Sequence, residues 1–199
     1  QQRFLKIMEE EAGRMSRLID DLLSLSRVEV DEHIIPDERV PLLEVVKSVI
    51  ASLEPRAARR QMGIVLVDDR PSRPNRPVMY GFSDEINEVF HNLIENAIKY
   101  GFEGTDIHIH ISAGEAGHVR VCVTNTGEVI GENHLSRLTE RFYRVDKARS
   151  RQIGGTGLGL AIVKHIVNRH RGTMEITSSD EGVTTFAVSL PVIAGNQAL

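Results

Sequence analysis

From Gln1 to about Val28 the chain holds no proline and one glycine, and Leu5, Met8, Ala12, Met15, Leu18, Ile19, Leu22 and Leu25 recur at three- and four-residue steps. That spacing predicts one helix of about 28 residues, some 40 Å long, with a single apolar stripe. Glu9, Glu10, Arg14, Arg17, Asp20, Asp21 and Arg27 occupy the other side. A stripe of this kind has two resolutions. Either the helix packs as a satellite on the domain that follows, or it belongs to a bundle or coiled coil whose other helix lies outside these residues. Nothing nearby in sequence covers the stripe, so the second is the expectation, and with it that the chain is a piece of something longer.

Val28 to Val40 is charged, contains Pro36 and reads as a linker, after which Pro41 opens a second amphipathic helix through Val45, Val46, Val49, Ile50 and Leu53. Ile64 to Val67 reads as a short strand, Arg70 to Arg76 as a proline-punctuated loop, and Asp84 to Tyr100 as a helix capped by Ser83. Apolar residues alternate in Ile107 to Ile111 and in Val119 to Val123, with a turn from Ala113 to Gly117 between them. A glycine-bearing segment from Gly127 to about Gly155 holds one short amphipathic piece, Leu135 to Phe142. A helix from Leu158 to about His170 ends at Gly172, and Met174 to Thr177 with Thr184 to Leu190 closes the chain as a hairpin around Glu181 and Gly182. Helices and strands that mix without strict alternation predict an α+β fold. Its form is a two-layer α/β sandwich with helices on one face of a mixed, mostly antiparallel sheet, preceded by one long helix.

Composition narrows the function. With 199 residues, 41% of them apolar and 26% charged, burial of roughly 70% of the unfolded surface supports a proper core and excludes disorder and collagen. Cys122 is the only cysteine, which excludes an intramolecular disulfide and a Cys-rich zinc site and fits a reducing compartment. A net charge of -4 gives no global basic field for nucleic acid. No apolar run approaches the ~20 residues of a membrane helix.

The chemistry concentrates in four segments. On a helix, Asn92, Asn96, Lys99 and Tyr100 share one side while Phe90, Leu93 and Ala97 face the core. Asn oxygens are hard, neutral ligands suited to Mg²⁺, Lys99 can neutralise phosphate, and Tyr100 offers a flat face to a base. An ordinary solvated helix face would look the same in isolation. Gly154, Gly155, Thr156, Gly157, Leu158, Gly159 and Leu160 run straight into a helix, so backbone N–H groups and the helix dipole converge where an anion would sit. The P-loop pattern fails there for want of its Lys, and the Rossmann pattern for want of a preceding strand; a glycine hinge is the plain alternative. Asn125 and Gly127 lie where a strand turns into a loop, and Phe142, Tyr143 and Arg144 precede the charged stretch Lys147 to Gln152.

Taken in this order and spacing, the four segments resemble the ATP-binding domain of bacterial sensor histidine kinases, within the ATPase superfamily shared with gyrase, the ninety-kilodalton heat-shock chaperone and mismatch-repair proteins. The resemblance covers nearly all of the chain, and the wording around Phe4 to Arg27 and Glu140 to Asp146 is closest to phosphate-regulon sensor kinases. It implies ATP and Mg²⁺ as cofactors. Asn96 assisted by Asn92 would hold the metal, Lys99 would contact phosphate, Tyr100 would pack on adenine and Arg144 would stabilise the γ-phosphate. Asn125, Gly127, Phe142, Gly155, Thr156, Gly157, Leu158, Gly159, Leu160 and Thr185 would complete the nucleotide site, with Lys147 to Ile153 as its lid. The implied organisation is residues 1–30 as the second helix of a dimerisation and phosphotransfer hairpin, 31–40 as linker, 41–193 as the ATP-binding catalytic domain and 194–199 as a tail. Implied too are a homodimer through bundle helices, a response-regulator receiver domain as partner, no nucleic acid, and a cytoplasmic location with membrane attachment only through upstream segments.

Two positions depart from the family pattern. Asn125 stands where the family has Asp, which weakens adenine recognition by roughly 1 kcal/mol. Val129 stands where the family has glycine, so the loop must take a path that does not need a positive φ. The phosphoacceptor is absent: none of the eight histidines, His33, His91, His108, His110, His118, His134, His165 and His170, has the family's acidic-basic-proline context. The fragment alone is therefore expected not to autophosphorylate. A degenerate nucleotide-binding or dimerisation module with weak or no kinase activity is the alternative, and a bundle-free ATPase or serine kinase of the anti-sigma-factor type a third. His108 and His110 share a strand face but lack a third ligand for zinc, Cys122 reads as a small core residue, and Ser24 and Ser26 lack a paired His.

Overall fold

In the computed structural model, which describes residues 2–30, 34–70, 77–115, 117–145 and 155–193, alternation along the strands decides the architecture. The elements are α1 (Gln2–Val30), β1 (Glu38–Pro41), α2 (Leu42–Ala58), β2 (Ile64–Asp68), β3 (Val78–Gly81), α3 (Ser83–Tyr100), β4 (Ile107–Ala113), β5 (His118–Thr126), α4 (Glu132–Leu135), α5 (Gly159–Arg169), β6 (Thr173–Ser178) and β7 (Val183–Pro191). Five strands form one sheet in the order β2-β4-β5-β7-β6, in which only β2 and β4 run parallel. Ile107, Ile109 and Ile111 of β4, Val119, Val121 and Val123 of β5 and Phe186, Val188 and Leu190 of β7 all turn to one face and are buried. Against that face α3 lies between α2 and α5 and buries Ile86, Val89, Phe90, Leu93, Ile94, Ala97 and Ile98. Each of these side chains other than Ala97 contributes about 1.5–3 kcal/mol of transfer free energy. The result is the α+β sandwich that the sequence predicts.

Several local expectations are corrected. Strands β1 and β3 pair antiparallel from Glu38 opposite Gly81 to Pro41 opposite Val78, where the sequence pattern gives no strand. Four-residue strands hold too few alternations to register, and β1 begins inside the stretch that reads as linker. Ser83 does not cap α3: Phe82 takes the cap position without a side-chain bond, and its carbonyl accepts from the Ile86 N–H. Of the amphipathic piece at Leu135 to Phe142 only Leu135 is helical, as the last residue of α4; turns follow, and Phe142 has φ +62°. Most of the Arg70 to Arg76 loop and the tail at 194–199 fall outside the described residues.

Helix α1 covers its stripe at one end only. At its C-terminal end Leu25 and Val28 are buried and the helix packs on α5, whereas Leu5, Met8, Met15, Ile19, Leu22 and Leu23 are exposed. No helix among the described residues is long and apolar enough to cross a membrane. At the C-terminal end of α5, the buried His170 ring links two elements. Its Nδ1–H donates to the Ile166 carbonyl at 2.8 Å, and its Nε2 accepts the Phe82 N–H at 3.1 Å.

Candidate functional site

Polar residues spaced four apart on α3 rise along one side of a cleft of about 1110 Å³, and the glycine turn leading into α5 forms the other side. The two walls touch. Asn92 donates its side-chain N–H to the Glu88 carbonyl at 3.0 Å, which fixes the amide and turns Oδ1 toward α5. A Cβ on Gly159 would lie 2.7 Å from that oxygen, so only glycine lets α5 start so close to α3. Farther along, the Tyr100 hydroxyl and the Arg144 guanidinium flank Gly155, 3.3 and 3.6 Å from where a Cβ would stand. Thr156 tightens the turn: its Oγ1 accepts the Leu158 N–H at 3.2 Å, just ahead of the first turn of α5.

The far end of α3 is held by Arg60, at the end of α2. Its guanidinium donates to the carbonyls of Ile98, of Lys99 at 3.0 Å and of Gly101 at 3.1 Å, so two orphan acceptors in the last turn of α3 and one just past it are satisfied. Beyond it three glycines meet. Gly101 bridges to Gly127, whose N–H donates to the Gly182 carbonyl at 2.8 Å. This staple fixes the loop after β5 as the rim of the cleft. Val129 in that loop has no positive φ, so the loop takes the path open to a β-branched residue.

Three of the carboxylates that line the cleft are shifted from their ordinary range. Glu95 accepts from Lys99 at 2.6 Å and pairs with Arg56. Burial pulls its pKa up, but the Lys99 hydrogen bond and the charges of Lys99, Arg56 and His91 outweigh this and hold it below the ordinary carboxylate range. Glu88 is pushed up by burial and by the charge of Asp21, against a hydrogen bond from Ser24. Asp21 of α1 is likewise raised by burial, against its Thr156 hydrogen bond and Lys99. Among the described residues no group of three or more His, Cys, Asp or Glu is disposed around a metal position. The donors in reach are the amides of Asn92 and Asn96, a neutral hard set that fits Mg²⁺ sharing its shell with water and phosphate oxygens.

The cleft gathers Asn92, Asn96, Lys99, Tyr100, Asn125 and Gly127, and from the other wall Arg144, Gly155, Thr156, Gly157, Gly159 and Leu160. Three predicted residues are not on its surface. Leu158 is fully buried in the core beneath the turn, and Phe142 is exposed outside it. Thr185 faces away: it sits opposite Thr124 in the β5–β7 register, and their hydroxyls bond at 3.0 Å on the other face of the sheet. Its neighbour Thr184, opposite Asn125, lines the cleft instead. Counting back by twos from Leu190, Val188 and Phe186 would have found it. Gly154 and the lid stretch Lys147 to Ile153 lie outside the described residues. Sequence reasoning missed Arg60, Glu88 and Asp21, whose roles depend on tertiary contacts; Tyr143, read only as part of its motif, lines the cleft with its hydroxyl on His134 Nδ1 at 2.5 Å and its ring under the Arg137 guanidinium at 4.2 Å.

Comparison with known proteins gives the family and the fold. The family described as histidine kinase-, DNA gyrase B-, and HSP90-like ATPase matches residues 81–194. The phosphate regulon sensor protein PhoR of Pseudomonas aeruginosa is 39% identical over 186 residues, 92% of this chain and 40% of that protein. The sensor-like histidine kinase SenX3 of Mycolicibacterium smegmatis is 34% identical over 189 residues, 95% of this chain and 48% of that protein. The chain thus spans less than half the length of these curated relatives. Full-length ShkA, solved with AMPPNP, shares the fold with a TM-score of 0.80 at 21% identity, over 98% of this chain and 39% of that one.

Proposed function

Since the chain belongs to the histidine kinase-, DNA gyrase B- and HSP90-like ATPase family, we propose that it is the ATP-binding catalytic part of a sensor histidine kinase. The reaction is transfer of the ATP γ-phosphoryl group to an imidazole nitrogen of a bundle domain: the bond to the bridging oxygen breaks, one to nitrogen forms, and ADP leaves. One observation carries this reading, the contact of the Asn92 amide with Gly159, which makes the amide face and the glycine turn two walls of one cleft. Asn92 and Asn96 would hold Mg²⁺, which supplies charge neutralisation between phosphate oxygens. Lys99 and the N–H groups of Gly155 to Gly159 are disposed to meet phosphate, Tyr100 and Asn125 to meet the base, and Arg144 to meet the charge that develops on the transferred group.

In this reading residues 1–30 are a bundle helix, 31–40 a linker and 41–193 the catalytic domain. The exposed Leu5, Met8, Met15, Ile19, Leu22 and Leu23 support a homodimer through bundle helices, and a receiver domain of a response regulator would accept the phosphoryl group on Asp. ATP as donor and the free Cys122 thiol support a cytoplasmic location, with membrane attachment through upstream segments. Calorimetry with Mg-ATP tests the site: the chain binds, and Asn96→Ala abolishes binding without loss of fold. Labelled ATP with a supplied bundle domain then yields acid-labile phosphohistidine on that domain and none on this chain. A folded chain that binds no nucleotide refutes the reading.

A further inference from the structure

Helix α1 meets the cleft through polar side chains, and one of them stands on the glycine turn itself. The Asp21 carboxylate accepts the Thr156 hydroxyl at 2.5 Å. That hydroxyl in turn accepts the Leu158 N–H, so carboxylate, hydroxyl and the amino end of α5 form one chain. Lys99 acts on Asp21 from across the cleft. Two further contacts fasten the same helix: Ser24 donates to the Glu88 carboxylate, 2.7 Å from each oxygen, and Glu29 pairs with Arg141. A hydroxyl and the amino end of a helix are groups an anion seeks, and here a carboxyl group of the protein itself occupies them, although burial raises its pKa.

We propose that Asp21 is an internal stand-in for a nucleotide phosphate, so that α1 docked on the glycine turn and a triphosphate bound in the cleft exclude each other. This rests on the nucleotide reading of the cleft. A triphosphate that approached Thr156 and Lys99 would meet a fixed carboxylate of like charge. It displaces that carboxylate, and with it the C-terminal part of α1, before its terminal phosphates seat. Nucleotide loading then frees the helix from the catalytic domain, and by reciprocity a docked helix weakens nucleotide binding by the same factor.

The test compares affinities for Mg-AMPPNP and for AMP in the wild-type chain and in Asp21→Asn, Asp21→Ala and Asp20→Asn. Asp21→Asn is isosteric and keeps the fold if alanine does not. Asp20→Asn removes the same charge from the exposed neighbour. The expected result is a gain of about tenfold in AMPPNP affinity for both Asp21 variants, no gain for AMP, and no gain for Asp20→Asn. Hydrogen exchange along residues 17–25 of the wild-type chain should rise when AMPPNP is added. Unchanged or weaker AMPPNP binding in the Asp21 variants overturns the proposal and leaves the nucleotide reading intact. Failure of the wild-type chain and every folded variant to bind AMPPNP overturns both.

Discussion

Replacing Gly182 by alanine tests whether the three-glycine staple holds the rim of the cleft. Gly182 has φ +78°, and a Cβ there would stand 2.2 Å from the Gly127 carbonyl oxygen, a backbone atom that no rotamer change can move aside. The left-handed backbone alone costs an alanine about 1–2 kcal/mol, partly offset by the stiffer unfolded chain. Overpacking against backbone adds about 1–3 kcal/mol. The expected loss is about 3 kcal/mol in urea unfolding followed by circular dichroism. Gly117→Ala is the matched control: φ is +83° and nothing lies within 4 Å of its Cβ, so only the backbone cost of about 1 kcal/mol remains. The displaced Gly127 carbonyl also shifts the loop that carries Glu128 and Val129, so Gly182→Ala weakens Mg-ATP binding in calorimetry while Gly117→Ala leaves it unchanged. Equal stability losses in the two variants, or wild-type nucleotide affinity in Gly182→Ala, would refute the reasoning.

Arg60→Ala removes three donors from the carbonyl end of α3 and is expected to lower unfolding free energy by about 2 kcal/mol and to weaken Mg-ATP binding through the loosened Lys99 to Gly101 turn, both read by urea titration and calorimetry. Asn125→Asp places a charged acceptor at the buried end of the cleft; ATP affinity should rise several-fold while the nucleotide-free protein loses stability to the added desolvation. Burial pushes the His170 imidazole below its ordinary pKa, with the Ile166 carbonyl opposing and the Arg169 charge assisting. The unfolded chain then takes up a proton that the folded one resists, so stability is intact above about pH 6.5 and falls as pH drops below it, by at most about 1.4 kcal/mol per pH unit. Urea midpoints between pH 7.5 and 5 should show that slope in the wild-type chain and a shallower one in His170→Gln.

What could be read from the sequence was what repeats locally. Asn92, Asn96, Lys99 and Tyr100 share a helix face by arithmetic, and glycines running into an apolar helix mark an anion-binding turn wherever they fold. Their juxtaposition was legible only through the resemblance, because no local pattern says that Gly159 must lie against Asn92, 67 positions earlier in the chain. Parity explains the one displaced side chain. Thr184 and Thr185 are chemically alike, and only the register of β7 on β5, set by the buried Phe186, Val188 and Leu190, decides which of them sees the cleft. Arg60 and His170 carry no signal at all. Each is an ordinary polar residue at the end of a helix until the carbonyl end of α3 or the Phe82 N–H arrives beside it.

Helix α1 is where local and global constraints divide. Its heptad-like stripe is continuous, yet the last two turns bury Leu25 and Val28 on the domain while Leu5, Met8, Met15, Ile19, Leu22 and Leu23 remain exposed. A helix committed wholly to the domain would have polar residues at those outer positions, and one committed wholly to a bundle would have no reason to set Asp21 on Thr156, Ser24 on Glu88 and Glu29 on Arg141. The polar contacts are individually weak and two of them use half-buried carboxylates, so they hold the helix without fixing it permanently. An apolar stripe that asks for a partner of its own and a polar edge that releases easily are what a helix needs if it is to change neighbours, and the edge that must release is the one lying on the glycine turn.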